Sequence, residues 1–171
     1  MTPEQATFLA QQYCQLMHGE FAATCKVLKA VKDDNRSFKP DEKSRTAWEL
    51  ATHLATADVW FLDSVFTGQF VWDPEKVKAV EGQFSNVAQI VAFYEKTFPA
   101  KLQAVQAMAA GDLAKNISFF GMMEKPAAEF LGMANNHSIH HRGQLAAYLR
   151  GMGSKVPAIY GGSADEPMPG A

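Results

Sequence analysis

Residues 135–144 read Asn-Asn-His-Ser-Ile-His-His-Arg-Gly-Gln, a polar run inside a segment that otherwise carries apolar residues at helical spacing. On an α-helix His137 and His141 stand about 40° apart around the axis and can turn both imidazoles toward one ion. His140 stands about 60° from His137 on its other side, so spacing alone leaves open whether His140 or His141 completes the pair. Upstream, His53 lies beside the apolar stripe of Leu50, Leu54 and Ala57. A histidine on an inward stripe must satisfy both ring nitrogens; a shared metal is one solution and hydrogen bonds in the core are the other. Three neutral imidazoles suit a first-row divalent cation such as zinc or nickel and leave coordination positions open for water or substrate. Neither H-E-x-x-H nor C-x-x-C is present.

Four segments have the periodicity needed to position these groups. The first, about Pro3 to Val31, repeats Phe8, Leu9, Tyr13, Leu16, Met17, Phe21, Thr24, Val27, Leu28 and Val31 at three- and four-residue steps. A polar connection, Asp33 to Ser44, follows. Thr46 and Glu49 form a T-x-x-E capping box that opens a second helix with the stripe Leu50, Leu54, Ala57, Phe61, Leu62 and Val65, stopped at Gly68. The segment with Pro74 and Gly82 reads as a long loop with at most one helical turn. A third helix is predicted from about Asn86 to Met108, bent or broken at Pro99. Residues 111–125 have no helical period, and Asn116 to Phe120 could be extended. The fourth helix is predicted from Pro126 at its first position to a stop at Gly151/Gly153, followed by an irregular tail. One short connection and two long ones then join four helices in an all-α, four-helix bundle spanning 1–171 as a single domain.

The chain has 171 residues, 47% of them hydrophobic, with sixteen Lys and Arg against eighteen Asp and Glu. That length can bury a core without a structural metal or disulfides, and a net charge of −2 gives no basis for nucleic-acid binding. No stretch reaches the roughly 20 apolar residues of a membrane span, and the N-terminus lacks the basic and apolar regions of a leader, so a cytoplasmic protein is expected. Cys14 and Cys25 lie about 16 Å apart on one helix, too far to bridge, and read as reduced core thiols.

The run His137, His140, His141, Arg142, Gly143, Gln144, Leu145, followed by Tyr148, Leu149, Arg150, Gly153, Val156 and Pro157, resembles the C-terminal signature of the DinB-like (damage-inducible) metal-binding four-helix proteins. The block Trp48, Glu49, Leu50, His53, Leu54, Trp60, Phe61 is similar to that family's other signature. The resemblance implies an up-down-down-up bundle, a homodimer, and a divalent metal held by His53, His137 and His141. It also implies relatives that act as bacillithiol-dependent transferases or mycothiol-dependent isomerases. The expectation is therefore a metal-dependent thiol-S-transferase that joins a small-molecule thiol to an electrophilic substrate. The alternatives are a metal-assisted hydrolase with Glu49 as catalytic base and a non-catalytic metal-binding dimer. Glu49 could also orient an imidazole or serve only the capping box. Arg142 is expected to meet an anionic ligand or, more commonly, an acidic residue of a neighbouring helix. His140 is expected to face a pocket or a partner, or to be exposed and idle. Gly143 should mark a close helix contact, and Met122, Met123 and Met133 should fill core space.

Overall fold

A computed structural model describes residues 1–168 and 170; the predicted tail also takes in Pro169 and Ala171, which lie outside the described residues. Four long helices, α1 (Pro3–Ala30), α2 (Ala47–Thr67), α4 (Val87–Gln106) and α6 (Phe130–Gly151), enclose the core. Between them lie two short helices, α3 (Pro74–Glu81) and α5 (Ala110–Ala114), and a hairpin of β1 (Asn116–Phe119) and β2 (Met123–Pro126). Both α1 and α2 pack against both α4 and α6. The chain thus makes a bundle in which α1 faces α2, and α4 faces α6, across a diagonal. The connection 31–46 falls where expected and spans one diagonal, and Phe38 inside it packs edge-on against Tyr148 of α6.

Three of the four stripes bury as their spacing predicts. On α2 the residues Leu50, Leu54, Ala57, Phe61, Leu62 and Val65 are buried, and on α4 so are Val87, Ile90, Val91, Tyr94, Phe98, Leu102 and Val105. On α6 the polar run is flanked by buried Phe130, Leu131, Ala134, Leu145 and Leu149. The first half of α1 differs. Its core face is Ala6, Ala10, Cys14 and Met17, while Phe8 and Leu16 are exposed. Small residues let α1 approach its neighbours closely, and burial of the larger ones would have required a wider gap. Cys14 and Cys25 are buried free thiols, and burial pushes both up to about 11, which keeps them protonated.

The helix starts follow local chemistry. Thr46 accepts from the Glu49 N–H and the Glu49 carboxylate accepts from the Thr46 N–H, the reciprocal pair of a capping box, and Gly68 closes α2 at φ +71°. Pro99 does not end α4, which continues to Gln106. Where a loop was expected, Asp73 caps an eight-residue α3 with Pro74 at its first position. Pro126 does not open the last helix: it ends β2, paired with Asn116, and a 3₁₀ turn (Ala127–Glu129) leads into α6 at Phe130. Gly143 makes no close contact, since a β-carbon there would meet nothing. The close approaches are at Gly132, where it would meet Tyr13, and at Gly151, where it would meet Phe38. Met122 and Met123 lie beside the hairpin turn at Gly121 and are exposed instead of filling the core, whereas Met133 packs against it. Among the described residues, no helix is long and apolar enough to cross a membrane.

Candidate metal centre

Packing of α2 against α6 brings His53 to His137 and His141. One nitrogen from each ring falls within 4.8 Å of the others, a grouping that could hold a metal ion. The Nε2 atoms of His53 and His137 lie 3.2 Å apart. Two imidazoles bound to one tetrahedral ion at 2.0–2.1 Å would place their nitrogens about 3.3 Å apart, so this pair is already at coordination spacing. His141 turns Nδ1 toward Gln144 Oε1 at 2.8 Å. If Nδ1 carries the proton in that bond, Nε2 keeps its lone pair for the cluster. Of the two histidines that spacing left open, it is His141 that groups with His53 and His137. His140 is exposed, its ring centroid 4.9 Å from that of His141.

Burial disfavours the charged form of two of the rings, His53 and His141. Burial first, then the Arg45 cation and the two neighbouring histidines, lower His53 to about 3, and burial likewise lowers His141. A neutral imidazole is the form that binds a metal. In the unfolded chain His53 returns to its ordinary value near 6.5. Between about 3 and 6.5 the unfolded chain therefore binds a proton that the folded chain does not, and stability falls as pH falls through this window. For metal-stripped protein the urea midpoint should drop between pH 7 and pH 5, before carboxylates titrate, and His53→Gln should flatten that drop. Equal slopes in the two proteins would show that His53 is not the group responsible.

Spacing arguments missed Asp58. It is fully buried on α2 facing α4 and α6, where its Oδ2 accepts from the Tyr94 hydroxyl at 2.9 Å and the Ser138 hydroxyl at 2.7 Å. Its Oδ1 lies 3.8 Å from His137 Nδ1. The signal was legible: Asp58 sits four residues after Leu54 and four before Leu62, a charge on an apolar stripe. Glu49, the base of the alternative hydrolytic reading, is an exposed residue that serves the capping box, the other role its spacing from Thr46 predicts. Its Oε2 accepts from the Thr46 N–H at 2.8 Å and from the Thr46 hydroxyl at 2.9 Å, and these bonds hold its carboxyl below the usual carboxylate range.

A cleft of about 280 Å³ opens on His53, walled by Thr52, Thr56, Trp60, Trp72 and Val77 and rimmed by Arg45, Glu81 and Glu49, so the candidate base does share a cleft with His53. Trp60 shapes it, donating from Nε1 to the Val71 carbonyl at 2.9 Å and meeting Trp72 edge-on at 5.7 Å. A second cleft, about 600 Å³, reaches His137 between Tyr13, Met123 and Lys125 and also touches His140. Arg142, adjacent in sequence to the cluster, points away from it and pairs with Glu20 of α1.

Four long helices with three converging imidazoles define a helical bundle able to carry a metal. The chain belongs to the DinB family, whose model matches residues 4–169. It is 28% identical over 137 residues to the uncharacterized protein YjoA of Bacillus subtilis, covering 80% of this chain and 86% of that one. It is 27% identical over 149 residues to YrdA of the same organism, covering 86% and 85%. Among solved structures, a DinB-like protein from Bacillus cereus superposes with a TM-score of 0.72 at 26% identity over 88% of this chain and 97% of that one. A mycothiol-dependent maleylpyruvate isomerase shares the fold at a TM-score of 0.52 and 13% identity, over 92% of this chain and 65% of that one.

Proposed function

We propose that the protein is a metal-dependent thiol-S-transferase. In this reading His53, His137 and His141 hold one divalent ion, zinc or nickel, and a low-molecular-weight thiol reacts with an electrophile beside it. The observation that carries the reading is the three-imidazole cluster, one member of which, His53, lines a cleft with an aromatic wall. The ion would supply a positive charge that neutral ligands leave uncancelled, favouring thiolate over thiol near neutral pH. The chain's own part is to keep His53 and His141 unprotonated by burial, to present the nitrogens at coordination spacing, and to offer the electrophile the walls of Trp60 and Trp72. The fold's occurrence in a mycothiol-dependent isomerase supports thiol chemistry on this scaffold.

The hydrolytic alternative fits less well, because the Glu49 carboxylate is committed to the start of α2 and is a weaker base for it. A purely metal-storing role leaves the cleft beside His53 without a purpose. The test is a conjugation assay in which bacillithiol, mycothiol, glutathione and coenzyme A are each offered with monochlorobimane to zinc-loaded and to chelator-stripped protein. At least one thiol should be conjugated faster by the loaded protein than by the stripped one. No acceleration with any of the four would sink the transferase reading.

A further inference from the structure

Asp58 Oδ1 and His137 Nδ1 are the two buried side-chain polar atoms without a hydrogen-bond partner among the described residues, and they face each other. An unsatisfied buried donor or acceptor is costly, and native structures hold few of them. Here one orphan is an acceptor, a carboxylate oxygen, and the other is a ring nitrogen that can be a donor. A movement of about 1 Å brings them to bonding distance.

We propose that Asp58 is the positioning residue of the metal centre: its carboxylate takes the Nδ1 proton of His137 in a hydrogen bond and so fixes the tautomer whose Nε2 lone pair faces His53. The inference rests on the reading of the three histidines as metal ligands and deepens it. Three features of the site argue for it. The carboxylate is held from the side away from the imidazole, since the Tyr94 and Ser138 hydroxyls both donate to Oδ2 and leave Oδ1 free for the ring. Those anchors come from α4 and α6, so the carboxylate is braced by two helices as well as its own, and Ser138 is the residue next to His137. Finally, Nε2 of His137 lies 3.2 Å from Nε2 of His53, close enough for one ring to donate to the other, and only the Nδ1–H tautomer leaves the His137 lone pair there for an ion. A carboxylate on the outer nitrogen of a metal-binding histidine orients the ring and raises its basicity. Tyr94 and Ser138 are neutral hydroxyls, so among the described residues no positive charge is bonded to the buried Asp58 carboxyl. A metal centre one imidazole away would provide that positive charge.

The test compares zinc affinity and imidazole tautomers. Stripped wild type, Asp58→Asn and Ser138→Ala are titrated with zinc against a chromophoric chelator, and long-range ¹⁵N–¹H spectra of the stripped proteins report which nitrogen of His137 is protonated. Loss of such an outer partner commonly weakens metal binding by about 10–100-fold. Asp58→Asn should fall in that range while Ser138→Ala, which keeps the carboxylate, falls only a few-fold. In the wild type His137 should carry its proton on Nδ1, and in Asp58→Asn the Nε2–H form should grow. A folded Asp58→Asn that binds zinc as tightly as wild type, or a wild-type His137 protonated on Nε2, overturns the proposal. If Asp58→Asn does not fold, the wild-type spectrum decides. Wild type that takes up no zinc would refute the metal reading instead, and the same spectrum would still settle the part played by Asp58.

Discussion

His137→Ala should lose its zinc, falling from about one ion per chain to a trace after dialysis against the same buffer. Structural zinc sites with four protein ligands bind with about 10–16 kcal/mol, so one ligand is worth roughly 3 kcal/mol and its loss on the order of a hundredfold in affinity or more. All three rings meet one another, at centroid distances of 5.1, 4.6 and 4.4 Å; among them this position is expected to be the most sensitive because His137 also faces Asp58. The fold should survive, since the core of α1, α2, α4 and α6 closes on apolar side chains and the cluster lies at its edge. Zinc at a thousandfold excess over Kd stabilises a folded protein by about 4 kcal/mol. At this chain length that is a rise of roughly 10 °C in Tm for wild type; a hundredfold weaker Kd leaves His137→Ala at about tenfold excess in the same zinc, where about 1.4 kcal/mol and roughly 4 °C remain. Elemental analysis and paired melts with and without zinc check both parts. A variant that still carries one ion per chain would remove His137 from the site.

The histidines were legible in the sequence because helical spacing is a strong local rule. His53 and His137 each sit on a face that also carries core residues, and the i, i+4 step joins His137 to His141. Spacing could not choose between His140 and His141, since both lie within one face of His137; the rotation of α6 in the bundle made that choice. Asp58 was missed for a different reason. Its role depends on Tyr94 from α4 and Ser138 from α6, residues far off in sequence that only tertiary packing brings to it. The misplaced elements have local explanations. An Asp-Pro start gives α3 a cap and a first turn that outweigh its short length, and the pairing of Pro126 with Asn116 draws that proline into a hairpin before it can open a helix. On the first half of α1 spacing predicts Phe8 and Leu16 on the core face, but the neighbouring helices leave room there for the small side chains of Ala6, Ala10 and Cys14.

The element misread as a loop also shapes the site. Without α3 the His53 cleft would lose Val77 and Glu81 and open as a shallow face of α2. The long excursion between α2 and α4 therefore supplies one wall, and Trp60, bonded to the Val71 carbonyl, ties that wall to the helix that carries His53. The hairpin does the same for the second cleft, where Met123 and Lys125 stand opposite Tyr13. Each cleft reaches a different histidine of the cluster, His53 in the first and His137 in the second.

A second large effect is expected at Glu20, in stability and not in metal binding. The Arg142 side chain is 1% exposed, and its guanidinium lies 2.5 Å from Glu20 Oε2. It also donates to the Glu20 carbonyl and the Thr24 hydroxyl, each at 3.2 Å, and to the Tyr160 hydroxyl. Tyr160 in turn donates to Glu20 Oε2 at 2.8 Å, so one carboxylate holds a buried cation and fastens the irregular C-terminal segment to α1. Glu20→Ala leaves that guanidinium buried without a counter-charge, a change that typically costs 3–5 kcal/mol and here should lower Tm by roughly 10 °C. Arg142 follows His141 in sequence, but its side chain leaves the helix about 100° away, so zinc affinity should be unchanged. Adding Arg142→Met to Glu20→Ala removes the stranded charge and should recover much of the loss, because apolar packing often replaces a buried ion pair at little cost. Melting curves of the single and double variants distinguish charge from shape. If the double variant is no more stable than Glu20→Ala, the pair's contribution is its hydrogen bonds to Thr24 and Tyr160 and not the neutralised charge.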